Sequence, residues 1–128
     1  SCPTVAAGAF TGCYYPNVTL SGTPTVVRTD SQINFDWGSS VPDRSLPRGG
    51  FSVQWQGTFT FTAGAHTFTA LTSDGMRLYI DGNLVMNHWV NEFATQYTVT
   101  DTLSAGTHAI TVEYYEETGW STAHLTWN

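Results

Sequence analysis

Two stretches of this chain carry residues whose types and spacing could do chemistry. One surrounds Ser73-Asp74-Gly75 and continues through Asn87, His88, Trp89 and Asn91; the other is Glu116-Glu117-Thr118-Gly119-Trp120. Flat aromatic faces with polar groups at their edges suit a sugar ring, and a carboxylate or a calcium ion can grip vicinal hydroxyls. The candidate carbohydrate contacts are therefore Asp74, His88, Trp89, Asn91, Glu116, Glu117 and Trp120. A carboxylate at a loop tip is also a common calcium ligand, which makes Asp74 the candidate metal residue, helped by backbone carbonyls and by Asn87 or Asn91. One carboxylate with two neutral side chains would hold that ion weakly. Each tryptophan has a plainer use as a plug for the end of a β-structure, since Trp is on average a largely buried residue.

Nucleophilic chemistry finds no support. No serine sits in a Gly-x-Ser-x-Gly elbow, and there is no glycine loop of the phosphate-cradling kind. No two of His66, His88, His108 and His124 have ligand spacing, so the imidazoles read as structural. Glycoside hydrolysis needs two carboxyl groups facing each other about 5–9 Å apart across the scissile bond. Glu116 and Glu117 are adjacent in sequence, and a pairing of Glu116 with Asp74 has no warrant in the sequence. The chain reads as non-catalytic.

Composition narrows the partners. Ten acidic residues stand against four arginines, lysine is absent, and the formal net charge is -6. Arg28, Arg44, Arg48 and Arg77 are scattered, so no basic patch exists for phosphate, and nucleic acid is excluded as a partner. No run of 18 apolar residues is present, so no membrane insertion is expected. Cys2 and Cys13 are the only cysteines, and ten residues lie between them. An even count, an easily closed loop and an extracellular appearance predict a disulfide that pins the N-terminal tail to the first strand. The chain reads as a mature or excised piece of a secreted or cell-surface protein.

The elements that must position these residues are strands. The chain's 128 residues are near the commonest size of one domain, so 1–128 is expected to be a single unit with 1–9 as a tail. A short strand runs from Phe10 through Tyr14 and Tyr15 to Pro16, with further weak strands at 18–20 and 25–28. In 32–37, Ile33, Phe35 and Trp37 share one face, and 38–50 is a long loop rich in Gly, Pro and Ser. The clearest strand is 51–61. Phe51, Val53, Trp55, Gly57, Phe59 and Phe61 occupy one parity and polar residues the other, with Gly57 marking a bulge or a close neighbour. Asp81-Gly82 closes a hairpin between Met76-Leu78-Ile80 and Leu84-Val85-Met86; a loop spans 87–93, followed by a strand near 94–101. Ile110, Val112 and Tyr114, then Ala123, Leu125 and Trp127, give the last two inward faces. With no period of 3.6 anywhere, the expected fold is all-β, an antiparallel β-sandwich or flattened barrel. Its core is expected to hold Trp55, Phe59, Phe68, Leu78, Ile80, Ile110, Val112, Leu125 and Trp127.

Several of these motifs, in order, resemble one family. Phe51-Ser52-Val53-Gln54-Trp55-Gln56-Gly57, Ser73-Asp74-Gly75-Met76-Arg77-Leu78-Tyr79-Ile80-Asp81-Gly82 and Asn87-His88-Trp89 are similar to the protective-antigen-type (PA-fourteen) domain first described in anthrax protective antigen. Gly106-Thr107-His108-Ala109-Ile110-Thr111-Val112-Glu113-Tyr114-Tyr115-Glu116 and Ala123-His124-Leu125-Thr126-Trp127 match the same pattern. The resemblance implies a β-sandwich module of the kind shared by secreted glycosidases, toxins and yeast adhesins, many members binding carbohydrate and others acting as spacers. In the sugar-binding adhesin branch, two consecutive aspartates joined by a cis peptide hold calcium. Here Asp74 matches the second, and Ser73 stands in place of the first. The expected function is a non-catalytic carbohydrate-binding module of a larger protein, with a glycan or cell-surface polysaccharide and the parent's neighbouring domains as partners. The alternative is a structural spacer or protein-interaction module without a sugar ligand.

Overall fold

A computed structural model describes residues 2–3 and 7–128. Of the expected tail, Ser1 and Thr4–Ala6 lie outside the described residues. The described residues form ten strands and no helix: β1 Phe10–Tyr15, β2 Val26–Asp30, β3 Ile33–Gly38, β4 Phe51–Phe61, β5 Gly64–Thr72, β6 Met76–Ile80, β7 Asn83–His88, β8 Thr95–Leu103, β9 Gly106–Glu116 and β10 Ser121–Trp127. They make a six-stranded sheet in the order β2-β1-β4-β9-β6-β7 and a four-stranded sheet in the order β3-β10-β5-β8. Every pairing is antiparallel. Both sheets keep free edges, so the architecture is a sandwich and not a closed barrel.

The two inner faces share one core because the period-two pattern points apolar side chains to one side of each strand. Trp55, Phe68, Leu78, Ile80, Ile110, Val112 and Leu125 are buried in it, and Phe59 and Trp127 are partly buried against it. The Trp55 indole N–H donates to Asp30 Oδ2 at 2.9 Å, and Asp30 also accepts from the Tyr14 hydroxyl and from Arg28 Nε. Burial, reinforced by the Asp30 carboxylate, pushes the Tyr14 phenol well above its ordinary range. Gly57 marks a close neighbour: a Cβ there would sit 2.2 Å from the Ala9 carbonyl oxygen. Cys2 and Cys13 form a disulfide, with Cα atoms 5.8 Å apart.

The strand expected at 25–28 runs over Val26–Asp30, and three further differences separate the structure from the sequence reading. Residues 18–20 are not a strand, because the Asn17 side chain accepts from the Thr19 and Ser21 N–H groups and folds 17–21 into a turn. Asn87 and His88 lie in β7 and not in a loop, since Met76↔His88 and Arg77↔Asn87 extend the hairpin ladder. The strand expected over 94–101 continues to Leu103, whose inward side chain is buried.

Candidate functional site

The four loops 39–50, 73–75, 89–94 and 117–120 meet at one end of the sandwich, and Asp74, in the second of them, ties the last two together. Asp74 sits in the tight link between β5 and β6 with φ 63°, and its side chain points inward, 0% exposed. Its Oδ1 accepts the Glu92 N–H at 3.0 Å. Its Oδ2 accepts the Glu117 N–H at 2.8 Å, the Thr118 N–H at 3.0 Å and the Thr118 hydroxyl at 3.1 Å. Asp74's own N–H donates to the Glu92 carbonyl at 2.9 Å. One carboxylate thus fixes the backbone of two loops. Ser73 does similar work beside it, donating to the Trp120 carbonyl at 2.7 Å and accepting the Thr122 N–H at 2.9 Å. Gly75 is required by crowding, as a Cβ there would lie 2.1 Å from the Tyr115 ring.

Glu116, the last residue of β9, is also 0% exposed. Its Oε1 accepts from Gly119 N–H at 2.7 Å and Trp120 N–H at 3.1 Å and shares the one Thr118 hydroxyl proton with Asp74 Oδ2, at 3.1 Å from each, while Oε2 is buried without a partner. Burial pushes the Glu116 carboxyl up; the Gly119 and Thr118 donors pull against this, and the neighbouring Asp74 carboxylate adds to the rise. The Gly50 N–H donates to the Glu116 carbonyl at 2.7 Å, which brings the 39–50 loop onto the same support.

The donors around Asp74 do not fit calcium. Its lone pairs already face four N–H or O–H groups, whose positive ends would oppose a cation. The Ser73–Asp74 peptide is trans. The Asn91 side-chain Oδ1 accepts from the Tyr115 hydroxyl at 2.6 Å, and Asn87 lies on β7 opposite Arg77. Among the described residues no three His, Cys, Asp or Glu side chains group to hold a metal ion. Nor does the Asp74–Glu116 pair frame a scissile bond, since both side chains are 0% exposed and turned onto loop backbone groups.

What this end displays is aromatic. Trp120 is 60% exposed, with its indole beside Gly38, and Phe93 is 94% exposed with Val90 at 55% nearby in the chain. A shallow groove of about 260 Å³ is lined by Asn91, Glu92, Phe93 and Thr118. Glu117 is exposed beside it. The other expected contacts are engaged internally. Trp89 is half-buried, with the Arg77 guanidinium 3.6 Å above its ring and Tyr115 packed edge-on at 4.8 Å. His88 stacks on Tyr97 at 3.5 Å, and the Tyr97 hydroxyl donates to Glu92 at 2.6 Å. Sequence reasoning missed Phe93, Glu92 and Thr118; the one available signal was an apolar residue inside a polar loop.

The family model for the PA14 domain matches residues 6–128. The chain belongs to the PA14 domain family. This PA14 domain is 36% identical over 119 residues to Anti-sigma-I factor RsgI3 of Acetivibrio thermocellus, a match that covers 91% of the chain and 18% of that protein. It superposes on a solved anti-sigma factor domain-containing protein with TM-score 0.87 and 36% identity, covering 93% of this chain and 42% of that one. It shares the fold of a PA14 sugar-binding domain from an RTX adhesin, with TM-score 0.72 and 18% identity, covering 96% of this chain and 90% of that one. The domain therefore spans less than half the length of the anti-sigma factor proteins it resembles.

Proposed function

We propose that this PA14 domain is a non-catalytic carbohydrate-binding module of a larger secreted or cell-surface protein. The observation that carries the reading is the pair of exposed aromatics, Trp120 and Phe93, held out by loops whose backbones are fixed from beneath by Asp74 and Glu116. An aromatic side chain on a loop whose backbone is already fixed stacks on the C–H face of a pyranose at a reduced ordering cost. The Asn91 side-chain NH2 and the exposed Glu117 carboxylate supply hydroxyl-binding groups on the same loops. In this reading binding needs no calcium, because Asp74 is committed to the loops. Kinship with a sugar-binding adhesin domain supports the ligand class, and kinship with anti-sigma factor proteins supports a parent in which the domain serves as the sensing part. The disulfide supports a location outside the cytoplasm. No helix of the described residues is long and apolar enough to cross a membrane. An indole left 60% exposed at the end of the 117–120 loop, just before β10, favours this reading over a pure spacer.

A glycan array probed with the wild-type chain, with and without a chelator, tests the proposal against Trp120→Ala. The expected result is binding to one or a few plant, yeast or bacterial cell-wall glycans, unchanged by chelation and lost in the folded variant. A wild type silent on every glycan, or a Trp120→Ala chain that binds as well as wild type, would overturn it.

A further inference from the structure

The opposite end of the sandwich carries a second cavity, remote from Trp120. Chain order explains it. Ser31 and Gln32 form the link that carries the backbone from β2 in one sheet to β3 in the other, and β10 ends beside that link at Thr126 and Trp127. The sheets part there, leaving an open pocket of about 220 Å³. Its inner wall is aromatic: Phe10 and Phe59 lie 4.7 Å apart between ring centroids, and Trp127 meets Phe59 edge-on at 5.0 Å. Its rim is Ser31, Gln32 and Thr126, all exposed. Their side chains make no hydrogen bond among the described residues, and no charged residue lines the pocket.

We infer that this pocket is a second carbohydrate subsite that takes one neutral pyranose unit. Three features select that ligand. The volume lies below the roughly 300–1,000 Å³ of sites for drug-sized molecules, which limits the occupant to a single ring. An aromatic wall suits the apolar C–H face of a sugar, and two hydroxyls and an amide with free hydrogen-bonding capacity suit its hydroxyls. A lining without cations leaves a uronate or sulfated unit with no counter-charge, and burying an unpaired carboxylate is costly. Trp120 precedes β10 directly and Trp127 ends it, so the two ends are separated by seven residues of extended chain, roughly 23 Å. A polysaccharide could engage both ends through different units, or two strands could be bridged, with a gain in avidity.

The test is a two-dimensional NMR titration of the 128-residue chain with free glucose, galactose and xylose, and with glucuronate as the charged control. The expected result is saturable movement of the Trp127 indole N–H and the Ser31, Gln32 and Thr126 amides with a neutral sugar and not with glucuronate. That movement persists in Trp120→Ala, which separates this subsite from the loop end. Gln32→Ala, on an exposed link, weakens it several-fold and leaves shifts near Trp120 in place. No saturable movement at these residues with any neutral sugar overturns the inference, as does equal movement with glucuronate or disappearance in Trp120→Ala. Either of the first two results leaves the reading of the Trp120 end standing.

Discussion

The loop end of the sandwich is held together by buried carboxylates that grip backbone N–H groups, whereas the opposite end is held by packed aromatic rings. At the loop end, Asp74 and Glu116 satisfy the donors of Glu92, Glu117, Thr118, Gly119 and Trp120, and three apolar side chains, Trp120, Phe93 and Val90, face water. At the other end, Phe61 is buried among Phe68, His66, His108 and Trp127, with strands joined by short turns. The contrast teaches how a small domain frees aromatic surface for recognition. Where polar groups inside hold the loops, aromatic residues are released from packing duty; where rings do the holding, only an unfilled gap between them is left to bind with.

Removing the anchor of either end breaks the comparison most directly. Asp74→Ala leaves the N–H groups of Glu92, Glu117 and Thr118 without their acceptor and places alanine at φ 63°, so a loss of roughly 4 kcal/mol is expected in denaturant unfolding. Amide exchange should rise across 89–94 and 117–120. If those loops stay protected, the carboxylate is not their anchor. Phe61→Ala at the other end should cost about 3–4 kcal/mol by opening a cavity, with glycan binding at the loop end unchanged.

Glu116→Gln sharpens the account of the loop end through pH. A carboxyl raised above its unfolded value of about 4.3 stabilises the fold below that value, and the contribution is lost as pH rises through the raised one. Glutamine keeps the acceptor for Thr118, Gly119 and Trp120 and carries no charge. The variant should therefore match wild type in Tm at acid pH and exceed it increasingly toward neutral pH. A difference that shrinks with rising pH would reverse the assignment. The smallest effect on stability is expected for Trp120→Ala, within about 0.5 kcal/mol because the indole is mostly solvated, despite its loss of glycan binding. A loss of several kcal/mol there would make Trp120 a plug and not a platform.

The strands were legible because their information is local. In β4 the parity of Phe51, Val53 and Trp55 reports which face is buried, and Asp81-Gly82 announces its hairpin. The Cys2–Cys13 disulfide was legible because only one pairing was available. The loop end was legible in outline, since 38–50 and most of 87–93 read as loops and the residues around Asp74 and Glu116 stood out by type. The roles within it were not. Asp74 reads as a turn residue whether its carboxylate points outward to a cation or inward to N–H groups, and the donors that decide the matter lie 43 and 44 positions away at Glu117 and Thr118.

Composition and periodicity alone thus determined an acidic, antiparallel all-β fold, its core residues and a set of polar and aromatic loop residues, because alternation and turn chemistry act over a few neighbouring positions; that the sheets form a sandwich and not a flattened barrel was decided by their pairing. Only the tertiary structure decided that Trp89 is covered by Arg77 while Trp120 is bare, and that Phe93 stands in water. It alone brought Ser31 and Gln32 beside Trp127 around a cavity. Exposure and hydrogen-bond partnership at a loop depend on which distant segments pack against it, and that is set by how the two sheets pair and stack, not by the residues on either side.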